Sequence, residues 1–292
     1  MIRSLNPSAL LSHLWLVGCG AMGGALAARW MEAGLPPESL SVIDPSPTAL
    51  PAALSHRLFA DAASVDTAPT LVVLAVKPQM VVTVAAGLRA ALGDGAPMVL
   101  SMLAGVRVPV LGQLFPGSAI VRIMPNTPAR IGRGVTALYG PALAAEDRAT
   151  VDGLLKAAGT TLWLEDEQKF DAVTALSGSG PAFLFRFVEA MTGAGEAAGL
   201  EPETSALLAM ETVVGAALLM AQSNESPAAL RASVTSPNGT TQAGLDVLDG
   251  DGALSSLLRQ TVRAAAERSR VLAAAAETAM EAGQMKEAVR AG

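Results

Sequence analysis

The sequence predicts an α/β fold: an amino-terminal, doubly wound Rossmann sheet followed by an all-helical domain. Three observations predict it. Short apolar runs alternate with helical segments to about residue 164, as in a parallel sheet covered on both faces. A glycine-rich turn, Gly18-Cys-Gly-Ala-Met-Gly23, follows the first apolar run and opens a helix. Beyond Glu165-Asp-Glu-Gln168 helices succeed one another without a convincing strand. The expected domains are residues 1–164 and 165–292.

In chain order, Leu14 to Gly18 reads as a buried strand and Gly24 to Ala33 as a helix stopped by Gly34 and Pro36. Leu40 to Asp44 is the second strand, and Leu71 to Val76 a continuous apolar third, halted at Lys77-Pro78. Met98 to Ser101 and Ala119 to Met124 are two more. Gly134 to Tyr139 and Thr160 to Leu164 close the sheet. Helices are expected at Ala182–Ala198, Pro202–Gln222, Pro227–Ser233, Thr241–Leu248 and Ala253 to about Ala282, where Gly283 is a plausible stop.

Composition narrows the function classes. The net charge of −6, with no basic cluster, argues against a nucleic-acid surface. A single cysteine, Cys19, excludes an internal disulfide framework and fits a reducing, cytoplasmic compartment. The first thirteen residues hold one Arg and no apolar run of signal-peptide length, so no export signal is expected. The most apolar stretch, Thr212 to Ala221, is about half of the roughly 20 residues a membrane span needs. Apolar helices buried against a partner chain are the better reading, and no membrane partner is expected.

The glycine turn matches the dinucleotide fingerprint. Gly18 permits the tight turn, Gly20 the approach of a pyrophosphate, and Gly23 the helix–strand packing, with Ala21 and Met22 opening the helix. Cys19 is a small filler in that loop. Asp44 closes the second strand, where an acidic residue binds a ribose 2′-hydroxyl and repels a 2′-phosphate. Ser46, in Pro45-Ser46-Pro47, is a donor suited to a phosphate. The cofactor is therefore NADPH or NADH. Ala75, Val76, Lys77 and Pro78 end the central strand, and Ala104 lies in the turn after the next one. Ligands of open α/β sheets bind at such carboxyl ends. Asn126 follows the next strand and offers an amide to a nicotinamide or the substrate. Arg122, within that strand, reads as a structural ion-pair partner.

No metal site is visible, and His13 and His56, the only histidines, are incidental. Redox chemistry without a useful His suits an imine, whose basic nitrogen is protonated at moderate pH, so that hydride delivery needs positioning above all. Ser236, Pro237, Asn238, Gly239, Thr240 and Thr241 form a small-residue turn that opens a helix. Free N–H groups at the positive end of a helix suit a carboxylate or phosphate. The bland reading makes Thr240 or Thr241 an N-cap.

Five segments then carry a resemblance: Gly18 to Gly23, Ala75-Val-Lys-Pro-Gln79, Arg122-Ile-Met-Pro-Asn-Thr-Pro128, Asp171 to Ala182 with its Ser-Gly-Ser-Gly-Pro turn, and Val234 to Gly244. In order and together they resemble pyrroline-5-carboxylate reductase. The first is shared by many families; the last two are specific to this one. The resemblance implies reduction of 1-pyrroline-5-carboxylate to L-proline with NAD(P)H. It also implies a homodimer formed by the helical domain, dimers able to build a decamer, and an active site between subunits. By that likeness Ser236, Asn238, Gly239 and Thr240 hold the substrate carboxylate, Thr241 lies near the ring nitrogen, and Glu167 is a substrate-side carboxylate. The family's usual Pro-Gly-Gly is here Pro237-Asn238-Gly239. Asn tolerates positive φ better than other non-glycine residues. The Asn that the family often carries near the adenosine is absent around Asp61-Ala62.

Two other readings compete. A β-hydroxyacid dehydrogenase or related imine reductase shares this domain order, but the hydroxyacid enzymes need a Lys on the helix after the glycine-rich turn. Ala182 to Leu200 holds only Arg186. A nucleotide-sensing protein without catalysis would have no reason to combine Asn126, Glu167 and the hydroxyl-rich turn.

Overall fold

The computed structural model describes residues 11–141 and 143–291, the side chains of 276 and 279–291 aside. The chain divides into two compact units, residues 1–178 with 265–292, and residues 179–264.

The first unit is built on one eight-stranded sheet in the order β3-β2-β1-β4-β5-β6-β7-β8. Its strands are β1 (Leu14–Val17), β2 (Leu40–Ile43), β3 (Leu58–Phe59), β4 (Leu71–Leu74), β5 (Met98–Ser101), β6 (Ile120–Met124), β7 (Gly134–Tyr139) and β8 (Gly159–Trp163). The pairs from β3 to β6 are all parallel, β7 runs antiparallel to β6, and β8 is parallel to β7. The physical cause of the reversal is loop length. The link between β6 and β7 is too short for a crossover of a dozen or more residues, which a parallel partner requires. β3 was not expected: two residues carry too little pattern to read. Its neighbour β2 sits against β1, which pairs with β4 on its other side. The strand order therefore reverses between β1 and β4, the switch point at which open α/β sheets bind ligands.

Both faces of this sheet are buried, as the continuous apolar runs demand. Leu14 and Leu16 join one core cluster with Leu26, Trp30, Val73 and Leu100. Trp15 and Val17 join the other with Val72, Leu74, Leu88 and Val99. That split is the two-residue period of a strand with apolar groups at every position. The flanking helices are α1 (Ala21–Glu32), α2 (Val81–Leu92), α3 (Val108–Leu114) and α4 (Ala145–Lys156). Trp30 of α1 is fully buried, and its indole N–H donates to the Leu154 carbonyl of α4 at 3.1 Å.

The unit does not stop at 164. α5 (Phe170–Val173) and a π-helical turn at Thr174–Gly178 belong to it. Phe170 and Ala175 are buried, and the Arg122 guanidinium lies 4.4 Å over the Phe170 ring. Those long-range contacts draw the segment after Glu165 into the first unit, against the expected division.

The second unit holds α6 (Gly180–Ala197), α7 (Pro202–Gln222), α8 (Pro227–Ser233), α9 (Thr240–Asp249) and the start of α10 (Ala253–Ala291). α6 and α7 cross closely: a Cβ built at Gly195 would lie 2.1 Å from Ser205 Oγ, and that hydroxyl donates to the Thr192 carbonyl at 2.6 Å. α10 runs through Gly283, which therefore does not stop it.

α7 is apolar on nearly every side. It is long and apolar enough to cross a membrane by length and composition, with a window of mean hydropathy 1.7 that is 11% buried within this chain. Its bounds are those the sequence predicts, and the apolar character extends beyond the run at Thr212 to Ala221 over the whole 21-residue helix. Leu207, Leu208, Met210, Leu218, Leu219 and Met220 are exposed on it.

Candidate active site

One candidate site, in the first unit, lies at the carboxyl ends of β1 and β4. Gly18 follows β1 at φ +94, and a Cβ there would meet the Ala75 carbonyl oxygen at 2.7 Å. The turn after β1 and the turn after β4 are thus pressed together, and only glycine has both the conformation and the room. A Cβ at Gly23 would stand 2.3 Å from the Gly18 carbonyl oxygen. Gly20 is different. Within 4 Å of a Cβ built there, only Thr48 Oγ1 is found, at 4.0 Å. The protein's own packing does not require glycine at 20.

α1 supplies the electrostatics. Its N-cap, Gly20, has no side-chain cap bond, and its first turn holds no acidic residue. The first amide bonded back is that of Gly24, to the Gly20 carbonyl at 2.8 Å. The N–H groups of Ala21, Met22 and Gly23 are therefore free at the positive end of the helix. A pyrophosphate fits there by shape and by sign. Lys77, exposed after β4 ahead of Pro78, and the exposed Ala104 after β5 occupy the same ends of the strands. Val76 lies beside Gly18, its Cγ1 3.0 Å from the Cβ built there.

Asp44 behaves differently from the expectation. Its Oδ2 accepts from the Cys19 N–H at 2.6 Å and its Oδ1 from the Ser46 N–H at 2.8 Å. The Cys19 carbonyl in turn accepts from the Thr48 and Ala49 amides, both at 3.1 Å. The carboxylate thus faces the glycine turn and locks it to the loop at 44–49, rather than standing free at the strand end. The exposed Ser46 hydroxyl remains at the rim of that loop. Asp44→Asn is accordingly expected to weaken NADPH and NADH together, with little change in their ratio. Parallel calorimetric titrations check this; a several-fold shift towards NADPH alone would restore the charge-repulsion reading. Cys19 is fully buried, and burial, reinforced by the Asp44 carboxylate, pushes its thiol up to about 11. It stays protonated, as a filler and not a nucleophile.

Two further residues have tasks within the scaffold. Glu167 Oε1 accepts from Arg122 Nη1 at 2.9 Å and from the Val108 N–H at 2.8 Å. Both side chains are nearly buried, at 6% and 16% exposure. Arg122 is the structural ion-pair partner it was expected to be. Glu167 is its counterpart through Oε1, and losing either partner would strand a buried charge. Asn126 gives its amide to the Ser177 carbonyl and hydroxyl at 3.2 and 3.1 Å, and its Oδ1 accepts from the Val135 N–H at 2.8 Å. Its amide is spent on holding the π-turn to the start of β7. Ser177 was missed as a partner, although its Ser-Gly-Ser-Gly-Pro turn stood out in the sequence. A π-turn is a feature found often near functional sites.

A separate candidate site, in the second unit, is the start of α9. Asn238 adopts φ +60, as the Pro-Asn-Gly turn requires. The Gly239 N–H bonds the Ser236 carbonyl at 3.0 Å, and a Cβ at Gly239 would meet Ser236 Oγ at 2.5 Å. Gly239, not a threonine, is the N-cap, and it makes no side-chain cap bond. The first amide bonded back is that of Ala243, to the Gly239 carbonyl at 3.1 Å. That leaves the N–H groups of Thr240, Thr241 and Gln242 unbonded. Thr240 and Thr241 are exposed, and the Thr241 hydroxyl has no hydrogen bond among the described residues. The turn presents three amides and a free hydroxyl together. A carboxylate suits the amides, and a neighbouring donor–acceptor atom suits the hydroxyl.

Among the described residues no cluster of three His, Cys, Asp or Glu side chains is arranged for a metal. His13 has its pKa lowered, by burial first and then by Arg57, and it immediately precedes β1, at the strand end opposite the glycine turn.

Comparison with known proteins matches these features. Residues 167–272 match the family model for pyrroline-5-carboxylate reductase dimerisation, and residues 14–105 a model described as NADP oxidoreductase, coenzyme F420-dependent. The chain is 37% identical over 271 residues to the pyrroline-5-carboxylate reductase of Pseudomonas aeruginosa, covering 88% of this chain and 95% of that one. It is 38% identical to that of Synechocystis sp., covering 89% and 98%. Among solved structures, a pyrroline-5-carboxylate reductase from Coxiella burnetii superposes with a TM-score of 0.83 at 31% identity, covering 90% of this chain and 98% of that one. A Plasmodium falciparum pyrroline carboxylate reductase with NADP bound does so with 0.77 at 26% identity, covering 91% and 100%.

Proposed function

Because the chain belongs to the pyrroline-5-carboxylate reductase family, we infer that it reduces 1-pyrroline-5-carboxylate to L-proline with NAD(P)H and assign roles to its residues on that premise. The observation that carries the assignment is the uncapped start of α9, with its free amides and the unbonded Thr241 hydroxyl. The amides of Thr240, Thr241 and Gln242 bind the substrate carboxylate, with Ser236, Asn238 and Gly239 shaping the turn. Thr241 Oγ hydrogen-bonds the ring nitrogen and orients the C=N bond. In the cofactor cleft, the free amides of α1 hold the pyrophosphate over Gly20. Lys77, Pro78 and Ala104 line the strand ends, and Asp44 keeps the glycine turn in shape. When bound, the nicotinamide supplies the hydride.

The chemistry asks little else of the protein. A pyrroline nitrogen protonates readily, so the residues must position two partners and exclude water rather than furnish a strong acid. The absence of any histidine from these roles is consistent with that demand. The test is direct: steady-state reduction of pyrroline-5-carboxylate with NADPH and with NADH, followed by nicotinamide absorbance and by proline formation. No turnover with either cofactor would remove the reading.

For assembly, a homodimer through the region matched by the dimerisation model supports the reading best. Exposed apolar side chains on α6, α7 and α9, among them Phe185, Leu207, Met210, Leu219 and Val247, would face water in a lone chain. A second copy covers them without invoking a membrane, and dimers can build a decamer. A contact of this kind buries area on the obligate scale, about 2,000 Å² or more. Light scattering is expected to find no monomer at micromolar concentration without detergent. A stable monomer, or a need for detergent, would count against this assembly. A cytoplasmic location accords with the buried, reduced Cys19.

A further inference from the structure

α10 returns to the first unit along one stripe. Ser269 Oγ donates to Asp171 Oδ1 of α5 at 2.7 Å. Ala273, 5% exposed, packs so tightly on Gly105 that a Cβ built there would lie 2.6 Å from Ala273 Cα. Glu277 pairs with Arg107 at 3.3 Å. Residues 269, 273 and 277 are four apart and so share one face of the helix. Two of their three partners sit on the turn that follows β5, the strand next to β4. That turn also carries Ala104. At its far end the Val108 amide is held by Glu167.

We propose that α10 sets the position of the turn at 102–107 and, through it, the cofactor cleft, with Ala273 as the positioning residue. The proposal rests on the reading of that cleft as the cofactor site. The three contacts are unequal. Arg107 and Glu277 are both partly exposed, and such pairs contribute little. The Gly105–Ala273 contact is backbone against a methyl-bearing backbone. No side chain there can fold away, because Gly105 has none and its φ of +78 disfavours any replacement. A larger group at 273 must therefore move the turn itself, since close-packed interiors transmit strain.

The test compares two substitutions in the full-length protein. Ala273→Leu is expected to raise the Kd for NADPH about tenfold, because a small displacement of a positioning element is felt at the site. The KM for pyrroline-5-carboxylate, measured at saturating cofactor, should change far less. Ala273→Gly keeps the space and is expected to bind NADPH as the wild type does, although glycine inside a helix lowers Tm. Wild-type affinity in Ala273→Leu would overturn the proposal. So would affinity losses in both variants that track their Tm. Should Ala273→Leu not fold, the smaller Ala273→Val takes its place and is expected to raise the Kd for NADPH in the same direction; wild-type affinity in folded Ala273→Val would overturn the proposal. Gly20→Val is the control for the premise. If it bound NADPH normally, the cofactor reading itself would fail, whatever Ala273 did.

Discussion

Replacing Thr241 with alanine is expected to lower kcat/KM for pyrroline-5-carboxylate by about ten- to a thousandfold, or about 1.4–4 kcal/mol, with NADPH affinity untouched. The size follows from the role: a hydrogen bond to the reacting nitrogen is worth most where the bond order changes. The rival role for Thr241 is helix capping, whose loss costs about 1 kcal/mol of stability. The structure separates the two. The N-cap of α9 is Gly239, and no side chain caps it. Thr241 lies inside the first turn with its hydroxyl unbonded. Thr241→Ala should therefore leave Tm close to the wild-type value. Thr241→Ser keeps the hydroxyl and should retain much of the activity. Near-normal kcat/KM in the alanine variant, with a lowered Tm, would return Thr241 to the helix. Steady-state kinetics and thermal denaturation on the same preparations distinguish these outcomes.

The second large effect is expected at Gly20. Gly20→Val should raise the Kd for NAD(P)H about a hundredfold or more, which is about 2.7 kcal/mol or more, while the protein stays folded. The geometry makes this position unusually clean. At Gly18 and Gly23 an added Cβ would strike the protein's own backbone, at 2.7 and 2.3 Å. Substitutions there would damage the fold and the site together. At Gly20 the only atom beyond the adjoining residues within 4 Å of an added Cβ is Thr48 Oγ1, at 4.0 Å, so a valine side chain meets little of the protein. Its methyl groups would project among the free amides of α1, where the pyrophosphate must come close. Calorimetry on a variant with native circular dichroism and Tm is the measurement. Unchanged affinity would move the cofactor elsewhere.

Much of this was legible in the residues. The apolar runs announced the sheet because a strand buried on both faces has no polar side to show. Gly18, Gly20 and Gly23 stood out because their spacing matches a fingerprint, although the Ala75 carbonyl that bars a side chain at Gly18 comes from the turn after a distant strand. Asn238 announced its left-handed turn by its own side-chain chemistry, and Arg122 announced an ion pair by sitting charged within an apolar strand. What the tertiary structure decided was the choice of partner. Asp44 could serve a ribose or the glycine turn, and the turn lies across the β1–β2 pairing, 25 residues away in sequence. Glu167 could face a substrate or Arg122, 45 residues away, and Asn126 a nicotinamide or Ser177, 51 residues away. A polar group buried on folding takes the partner that strand order brings to it, and strand order is set by the whole sheet. Ala273 gave no signal at all: an alanine in an Ala-rich helix is simply good helix until Gly105 is folded against it. Local stereochemistry writes the first kind of feature into the sequence, whereas the second exists only once distant segments meet.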